Sequence, residues 1–255
     1  MFAKNKDKKP EKKKESLSES ISGIAAVFVS GLFIITFIVQ AFEIPSGSME
    51  DTLLVGDHVF VDRLTPMRKA KYIDSIMAYR EVKRGDIIVF LHPKEPGMYV
   101  VKRVMGLPGD KIHLQNGVVY RNGEALNEPY LHPHDRAPNA YRDYFPAAPA
   151  GPMDGVYSEW PMEMRENLQN GELVVPKDSY FGMGDHRDVS LDSRYWGFIP
   201  RENIVGRPLF IYWSFVTPND QYERKAMGER VSFLMHVIVH FFDETRWSRM
   251  FHLVH

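Results

Sequence analysis

Two segments of the sequence carry side chains that could catalyse acyl transfer together. Ser48 ends the tripeptide Ser46-Gly47-Ser48, and Lys102 stands in the middle of the strand-like run 99–105. A serine nucleophile needs a base, an oxyanion hole and a tight backbone, and the neighbouring glycine meets the last need. On its own, such a tripeptide is more typical of a turn. Because residue 50 is glutamate, the hydrolase pattern G-x-S-x-G is absent, and nothing local indicates a histidine base.

The surroundings of Lys102 decide whether it can act as that base. A lysine removes protons near neutral pH only when burial keeps part of it uncharged. Period-two alternation places Lys102 on the same strand face as Val100 and Val104, while Arg103 points to the other face. Those apolar neighbours favour a buried amine. The alternative is an exposed edge strand, on which a charged side chain is ordinary because it blocks edge-to-edge pairing.

A charged loop follows between Gly182 and Gly197. Three aspartates and two arginines fall within ten of its residues. Charge-assisted hydrogen bonds among these side chains would hold the loop rigid. The alternatives are a solvated turn and a divalent-cation loop, and the arginines disfavour the cation because they compete for the same oxygens.

The histidines allow two further readings. The run His132-Pro133-His134-Asp135 resembles a metal motif, but two histidines two residues apart in a proline-rich segment are more typical of solvated side chains. We therefore expect no metal there, and serine-lysine chemistry would need no metal or organic cofactor. Spacing also permits a Ser-His-Asp triad that joins Ser48 to His58, His113 or His186, since triads assemble from distant positions.

Length and composition limit the elements that can position these residues. The chain has 255 residues, of which 44% are hydrophobic, so it can bury a core in one or two domains. A formal charge of -1 gives no global basic excess, and we expect no nucleic-acid partner. The absence of cysteine excludes disulfides, cysteine zinc sites and a thiol nucleophile. A mean hydropathy of -0.31 excludes a protein with several membrane spans but permits one.

The N-terminal region has the pattern of a membrane anchor. Residues 1–15 hold seven lysines, and residues 21–42 hold no charge at all. Twenty-two residues make a helix of roughly 33 Å, enough to cross a hydrocarbon core of about 30 Å. We predict a basic tail over 1–20 and a transmembrane helix over 21–42, with the tail cytoplasmic by the positive-inside rule. The alternatives are a buried core helix and a cleaved secretory signal.

The remainder of the sequence indicates a mainly β fold. Short β-branched and aromatic runs recur between turn signals, at 59–61, 87–90, 99–105, 112–114, 118–120, 173–175 and 209–215. Asn116-Gly117 and Asn122-Gly123 predict a three-stranded meander over 112–126. Prolines mark a variable insertion at about 127–170, and the segment 226–255 has no evident role. Within it, 231–242 is compatible with a strand, a core helix or an amphipathic surface helix.

Taken together, the clusters resemble a type I signal peptidase, the membrane-bound leader peptidase of bacteria. The matching segments follow the family's order after an apolar helix, at 44–49, 56–59, 101–104, 106–110 and 184–200. The resemblance implies a β catalytic core over 43–225 with a small inserted β or irregular region, preceded by one N-terminal transmembrane helix.

The resemblance also implies roles for individual residues. Ser48 matches the nucleophile and Lys102 the general base. Ser46 matches the side chain that shares the oxyanion hole with the Ser48 N–H, and Ser190 matches the hydroxyl that orients the lysine. The expected supporting residues are Met49, Arg103, Asp185, Arg187, Asp192 and Arg194. His186 and Val189 stand where asparagines are frequent in the family, so the hydrogen bonds of that loop are expected to differ.

The function implied by the resemblance is cleavage of signal peptides from exported preproteins. The enzyme would sit in the bacterial inner (cell) membrane as a single-pass protein, with its catalytic domain extracytoplasmic and near the export machinery. One rival is a serine-lysine repressor that cleaves itself, which would need a helix-turn-helix domain where this chain has a lysine tail. Another is a noncatalytic membrane-tethered module that only holds preproteins.

Overall fold

Antiparallel sheets account for most of the described chain. The structure, a computed structural model, describes residues 17–64, 80–147, 155–222, 224 and 226–255. Its strands are β1 Val39–Glu43, β2 Asp57–Asp62, β3 Ile87–Leu91, β4 Tyr99–Gly106, β5 Lys111–Gln115, β6 Val118–Arg121, β7 Glu124–Ala125, β8 Leu168–Gln169, β9 Glu172–Val174, β10 Ser179–Met183, β11 Ile199–Pro200 and β12 Ile204–Ser214. Each of the seven predicted runs overlaps a strand, and the mainly β fold is confirmed.

The strands divide between two sheets. The larger has the order β1-β2-β12-β3-β4-β10-β11, and the smaller has the order β7-β6-β5-β9-β8. The predicted meander is β5-β6-β7, with positive φ at Asn116 and Gly117 and again at Asn122 and Gly123. Asparagine and glycine tolerate that backbone region, which is why the sequence signal for these turns is strong.

The helices are short apart from the first and last. They are α1 Leu17–Phe33, α2 Ala140–Asp143, α3 Trp160–Glu166, α4 Ser193–Trp196 and α5 Met227–Val239. The insertion expected at 127–170 contains α2, α3 and β8, while its residues 148–154 lie outside the described part of the chain. Helix α5 decides the open choice for 231–242, because most of that segment is helical with exposed apolar side chains.

The prediction of one helix over 21–42 is wrong at its C-terminal end. Helix α1 stops at Phe33, a π-helical turn covers Ile34–Ile38, and β1 begins at Val39. The five β1 residues pair with β2 from Val39↔Asp62 to Glu43↔His58. Residues 39–42, which their apolar composition alone assigned to the helix, therefore form a strand paired with β2. Across the described residues, no helix combines the length and apolar character needed to cross a bilayer. Most of the predicted basic tail, residues 1–16, lies outside them.

Part of the core anchors the segment that carries Ser48. Ile44, Met49 and Leu53 are buried together with side chains of β2, β3 and β12. The main chain is also held there, since the Ile44 N–H donates to the Asp57 carbonyl at 2.9 Å. The serine segment is therefore fixed against the larger sheet.

Candidate active site

Ser48 lies in a 3₁₀ turn, Gly47–Met49, that follows β1 by a few residues. The turn is held by its neighbours, because the Glu50 N–H donates to the Gly47 carbonyl at 3.0 Å and the Leu53 N–H donates to the Met49 carbonyl at 2.7 Å. The Met49 side chain is buried in the core. A buried residue directly after the serine limits how far its hydroxyl can move.

Lys102 lies on β4, an internal strand between β3 and β10. It pairs with the fully buried Ile88 of β3, and only 3% of its surface is exposed. Lys102 therefore lies in the core and not on an exposed edge strand, as its apolar neighbours on the same strand face indicated. At Gly182 on β10, an added Cβ would come within 3.2 Å of the Lys102 Cβ, so the lysine stem is closely enclosed.

The amine of Lys102 and the hydroxyl of Ser48 are hydrogen-bonded. Nζ lies 2.6 Å from the serine Oγ. Burial lowers the pKa of Lys102 from 10.5 to about 8, against the opposing charges of Asp192 and Asp185. About a tenth of such an amine is neutral at pH 7. A neutral amine at this distance can accept the serine proton.

The two other expected hydroxyls lie in different surroundings. Ser46 is exposed, and its Oγ is 3.4 Å from the Ser48 Oγ. Ser190 is buried, and its Oγ has no hydrogen-bond partner among the described residues. A Cβ on Gly184 would lie 2.3 Å from both the Ser190 Oγ and the Ser48 carbonyl oxygen. Ser190 thus packs close to the nucleophile's backbone, and its role in orienting the lysine stays a prediction.

The charged loop pairs mostly with other segments, so the expectation that its charges satisfy one another is only partly right. Within the loop, Arg194 donates to both carboxylate oxygens of Asp192, at 2.9 and 2.8 Å. The Asp192 carboxylate also accepts the Gly184 N–H at 3.1 Å. Burial by itself would raise the pKa of Asp192, but the Arg194 charge lowers it below its usual range. The carboxylate beside the lysine therefore stays ionised.

The remaining loop charges reach across the fold. Arg103 of β4 donates to both oxygens of Asp185, at 2.8 and 2.7 Å, and both side chains are buried. Arg187 pairs with Glu128. Asp188 is held by partners from the inserted segment, namely Arg142 and His134. Sequence reasoning missed Glu128 and Arg142, because neither belongs to a motif and each meets its partner only in the folded chain.

The histidine triads find no support among the described residues. The Ser48 Oγ has Lys102 and Ser46 as its hydrogen-bond partners. The rings of the three candidate histidines pair instead with carboxylates, His58 with Glu43, His113 with Glu172, and His186 with Glu50 and Asp135. A β scaffold that buries an amine against a serine hydroxyl defines a candidate serine hydrolase in which lysine takes the place of histidine.

Comparison with known proteins names the family. The chain belongs to the signal peptidase family, peptidase S26, whose model matches residues 17–213. The chain is 31% identical to the signal peptidase I of Aquifex aeolicus, over 80% of this chain and 87% of the relative. It is 34% identical to the signal peptidase I of Pseudomonas fluorescens, over 75% and 72% of the two chains. The resemblance seen in the sequence is therefore confirmed, and the protein is a hydrolase of the signal peptidase I class.

A solved structure was also matched. It is a signal peptidase I from Enterococcus faecalis, 25% identical, and the match covers 50% of this chain and 97% of that one. The TM-score is 0.32, which supports no statement about the fold.

Proposed function

We propose that the protein cleaves N-terminal signal peptides from exported preproteins, with Ser48 as nucleophile and neutral Lys102 as general base. The observation that carries the proposal is the 2.6 Å contact between Nζ and Oγ, made by an amine that is almost wholly buried. The pKa of about 8 leaves enough neutral amine for catalysis near physiological pH.

The chemistry uses side chains and backbone of this chain. Lys102 Nζ takes the Ser48 proton as Oγ attacks the scissile carbonyl. The oxyanion accepts hydrogen bonds from the Ser48 N–H and the Ser46 hydroxyl. The intermediate collapses to an acyl-enzyme as the Lys102 ammonium protonates the leaving amine. The neutral lysine then takes a proton from water, which attacks the ester carbonyl, and the Lys102 ammonium returns that proton to the Ser48 Oγ as the Oγ–carbon bond breaks and the carboxylic acid product leaves.

The apolar helix supports a place at the bacterial cell membrane. Exposed side chains of α1 include Ile24, Val27, Phe28, Val29 and Phe33, which lie around the helix and not along one stripe. A helix that is apolar all round fits a lipid environment better than water. The nucleophile follows the helical segment by ten residues, so it would act close to the lipid surface.

We further propose the orientation expected from the sequence, with the lysine-rich tail cytoplasmic and the sheets on the far side, near the export machinery. Protease added to intact spheroplasts should digest the sheets but spare a tag at the N-terminus. Alkaline extraction should leave the chain in the membrane pellet. Digestion of the tag alone would contradict the orientation, and release by alkali would contradict lipid anchoring.

The catalytic assignment is tested by a pH–rate profile for cleavage of a purified preprotein in detergent. Between pH 7 and pH 9, kcat/KM should rise about tenfold as a base with a pKa near 8 loses its proton. Lys102→Ala and Ser48→Ala should both lose cleavage. Lys94→Ala is the matched control, since Lys94 pairs with the surface glutamates Glu159 and Glu163 and should keep the profile. A noncatalytic module would not cleave at all, and an active Lys102→Ala variant would contradict the lysine base.

A further inference from the structure

A cluster of histidines and carboxylates lies directly beside the nucleophile. We propose that this metal cluster, formed by His132, Asp135 and His186, binds a divalent transition-metal ion of the zinc type. The backbone N–H of His186 donates to the Ser48 carbonyl at 3.2 Å. The cluster therefore adjoins the proposed active site but includes neither the Lys102 amine nor the Ser48 hydroxyl.

The distances within the metal cluster fit one ion. The three residues each offer a ligand atom, and these atoms all lie within 4.8 Å of one another. The His186 Nε2 is 3.4 Å from an Asp135 carboxylate oxygen. A tetrahedral zinc ion with bonds of about 2.0–2.1 Å holds its ligand atoms roughly 3.3 Å apart. Two of the three ligands are therefore already at the spacing that the ion needs.

Each histidine also has the outer partner that metal-bound imidazoles use. The His132 Nδ1 lies 2.8 Å from a carboxylate oxygen of Asp51, and the His186 Nδ1 lies 3.2 Å from one of Glu50. A carboxylate that accepts the proton of one ring nitrogen leaves the lone pair of the other free for a metal and fixes the orientation of the ring.

The charge balance favours a cation. Glu50, Asp51 and Asp135 bring three carboxylates together, and within the described residues no lysine or arginine forms an ion pair with any of them. The rings of His132 and His186 lie 4.0 Å apart between centroids, so both can approach one ion. A divalent ion held there would balance part of the charge of the three carboxylates.

The sequence alone offered only His132 and His134 as a possible metal-binding pair, and from that pair we expected no metal. His134, two residues after His132, is held by Asp188 at 2.8 Å and takes no part in the metal cluster. The second histidine comes instead from the charged loop. Metal binding would therefore clamp the inserted segment to the loop beside Ser48.

Zinc titration of the EDTA-treated full-length chain, in competition with a chromophoric chelator, tests the proposal. Helix α5 and the residues after it contain another group with metal-ligand spacing, His236, His240 and Glu244. All variants are therefore made in a His236→Asn/His240→Asn background. In it, His132→Asn and Asp135→Asn remove one ligand each, and His134→Asn is the matched control from the same loop.

The background protein should bind one zinc ion per chain. His132→Asn and Asp135→Asn should each weaken binding at least tenfold, Asp51→Asn should weaken it about tenfold through the outer partner, and His134→Asn should leave it unchanged. Zinc should raise the melting temperature of the background protein but not that of the two ligand variants. A cooperative melting transition of each variant in EDTA shows that it is folded. Both ligand side chains are partly exposed, so the variants should fold. No zinc binding by the background protein, or equal binding by His132→Asn and His134→Asn, would overturn the proposal.

Discussion

Replacing Lys102 with methionine should make the folded protein more stable at pH 7 while abolishing cleavage. Burial lowers the pKa of the lysine from 10.5 to about 8, so folding disfavours the ammonium relative to the unfolded chain. At about 1.4 kcal/mol per pKa unit, the cost is roughly 3 kcal/mol below pH 8. Methionine keeps most of the stem and carries no charge. It loses the Nζ–Oγ hydrogen bond, worth about 1 kcal/mol, which leaves a net gain of roughly 2 kcal/mol.

The sign of the pH dependence follows from proton binding. Between pH 8 and pH 10.5 the unfolded chain keeps the lysine proton and the folded chain has lost it, so wild-type stability rises with pH relative to the variant. Below pH 8 both states hold the proton and the difference is constant. The advantage of Lys102→Met should therefore be full at pH 7 and vanish near pH 10.

Urea unfolding at pH 7 and at pH 10, in the same detergent, measures the effect. Lys94→Met is the control, because Lys94 is partly exposed and pairs with surface glutamates. It should change the free energy of unfolding by less than about 1 kcal/mol, since surface ion pairs contribute little. The reasoning fails if Lys102→Met is less stable than wild type at pH 7, or if its advantage is the same at both pH values.

Three further substitutions probe the loop and its contacts. Asp185→Asn leaves the buried Arg103 guanidinium without its carboxylate, and chemical denaturation should show a loss of about 3 kcal/mol. Ser190→Ala removes a buried hydroxyl that has no hydrogen-bond partner among the described residues. Calorimetry should therefore show a free energy of unfolding that is unchanged or higher by up to about 1 kcal/mol. Gly184→Ala places a methyl 2.3 Å from the Ser190 Oγ and should cost about 1–3 kcal/mol and most of the cleavage rate. Gly228→Ala, on α5 with open space around it, should show neither loss in the same assays.

The turns and strands that depend on short runs of neighbouring residues could be predicted from the sequence. The meander could be predicted because Asn116-Gly117 and Asn122-Gly123 favour the backbone that a tight hairpin needs. The strand at β4 could be predicted from its β-branched residues. The position of Lys102 in the core could not be predicted, because the alternation of side chains is the same on an internal strand as on an edge strand. Whether β4 is internal depends on the strand order, which no local pattern encodes.

The N-terminal error has the same cause. Residues 39–42 are uncharged, and nothing in them separates the end of a lipid-facing helix from an edge strand. These residues form a strand because their backbone groups pair with those of β2, a contact that exists only in the folded chain. The metal cluster is a stronger case, since its histidines at 132 and 186 are far apart in sequence and neighbours only through the fold.

The pKa of Lys102 is a balance in which the charged loop has a direct part. Burial lowers it most, and the carboxylates of Asp192 and Asp185 oppose burial. Asp192 is itself held by Arg194, whose charge lowers the pKa of Asp192 and also disfavours the ammonium of Lys102. Without Arg194, Asp192 would either protonate or pull the lysine back towards its ordinary pKa. The loop is therefore part of the reason why the pKa of Lys102 falls only to about 8, a value that suits the proposed exchange of protons with Ser48 and the leaving amine.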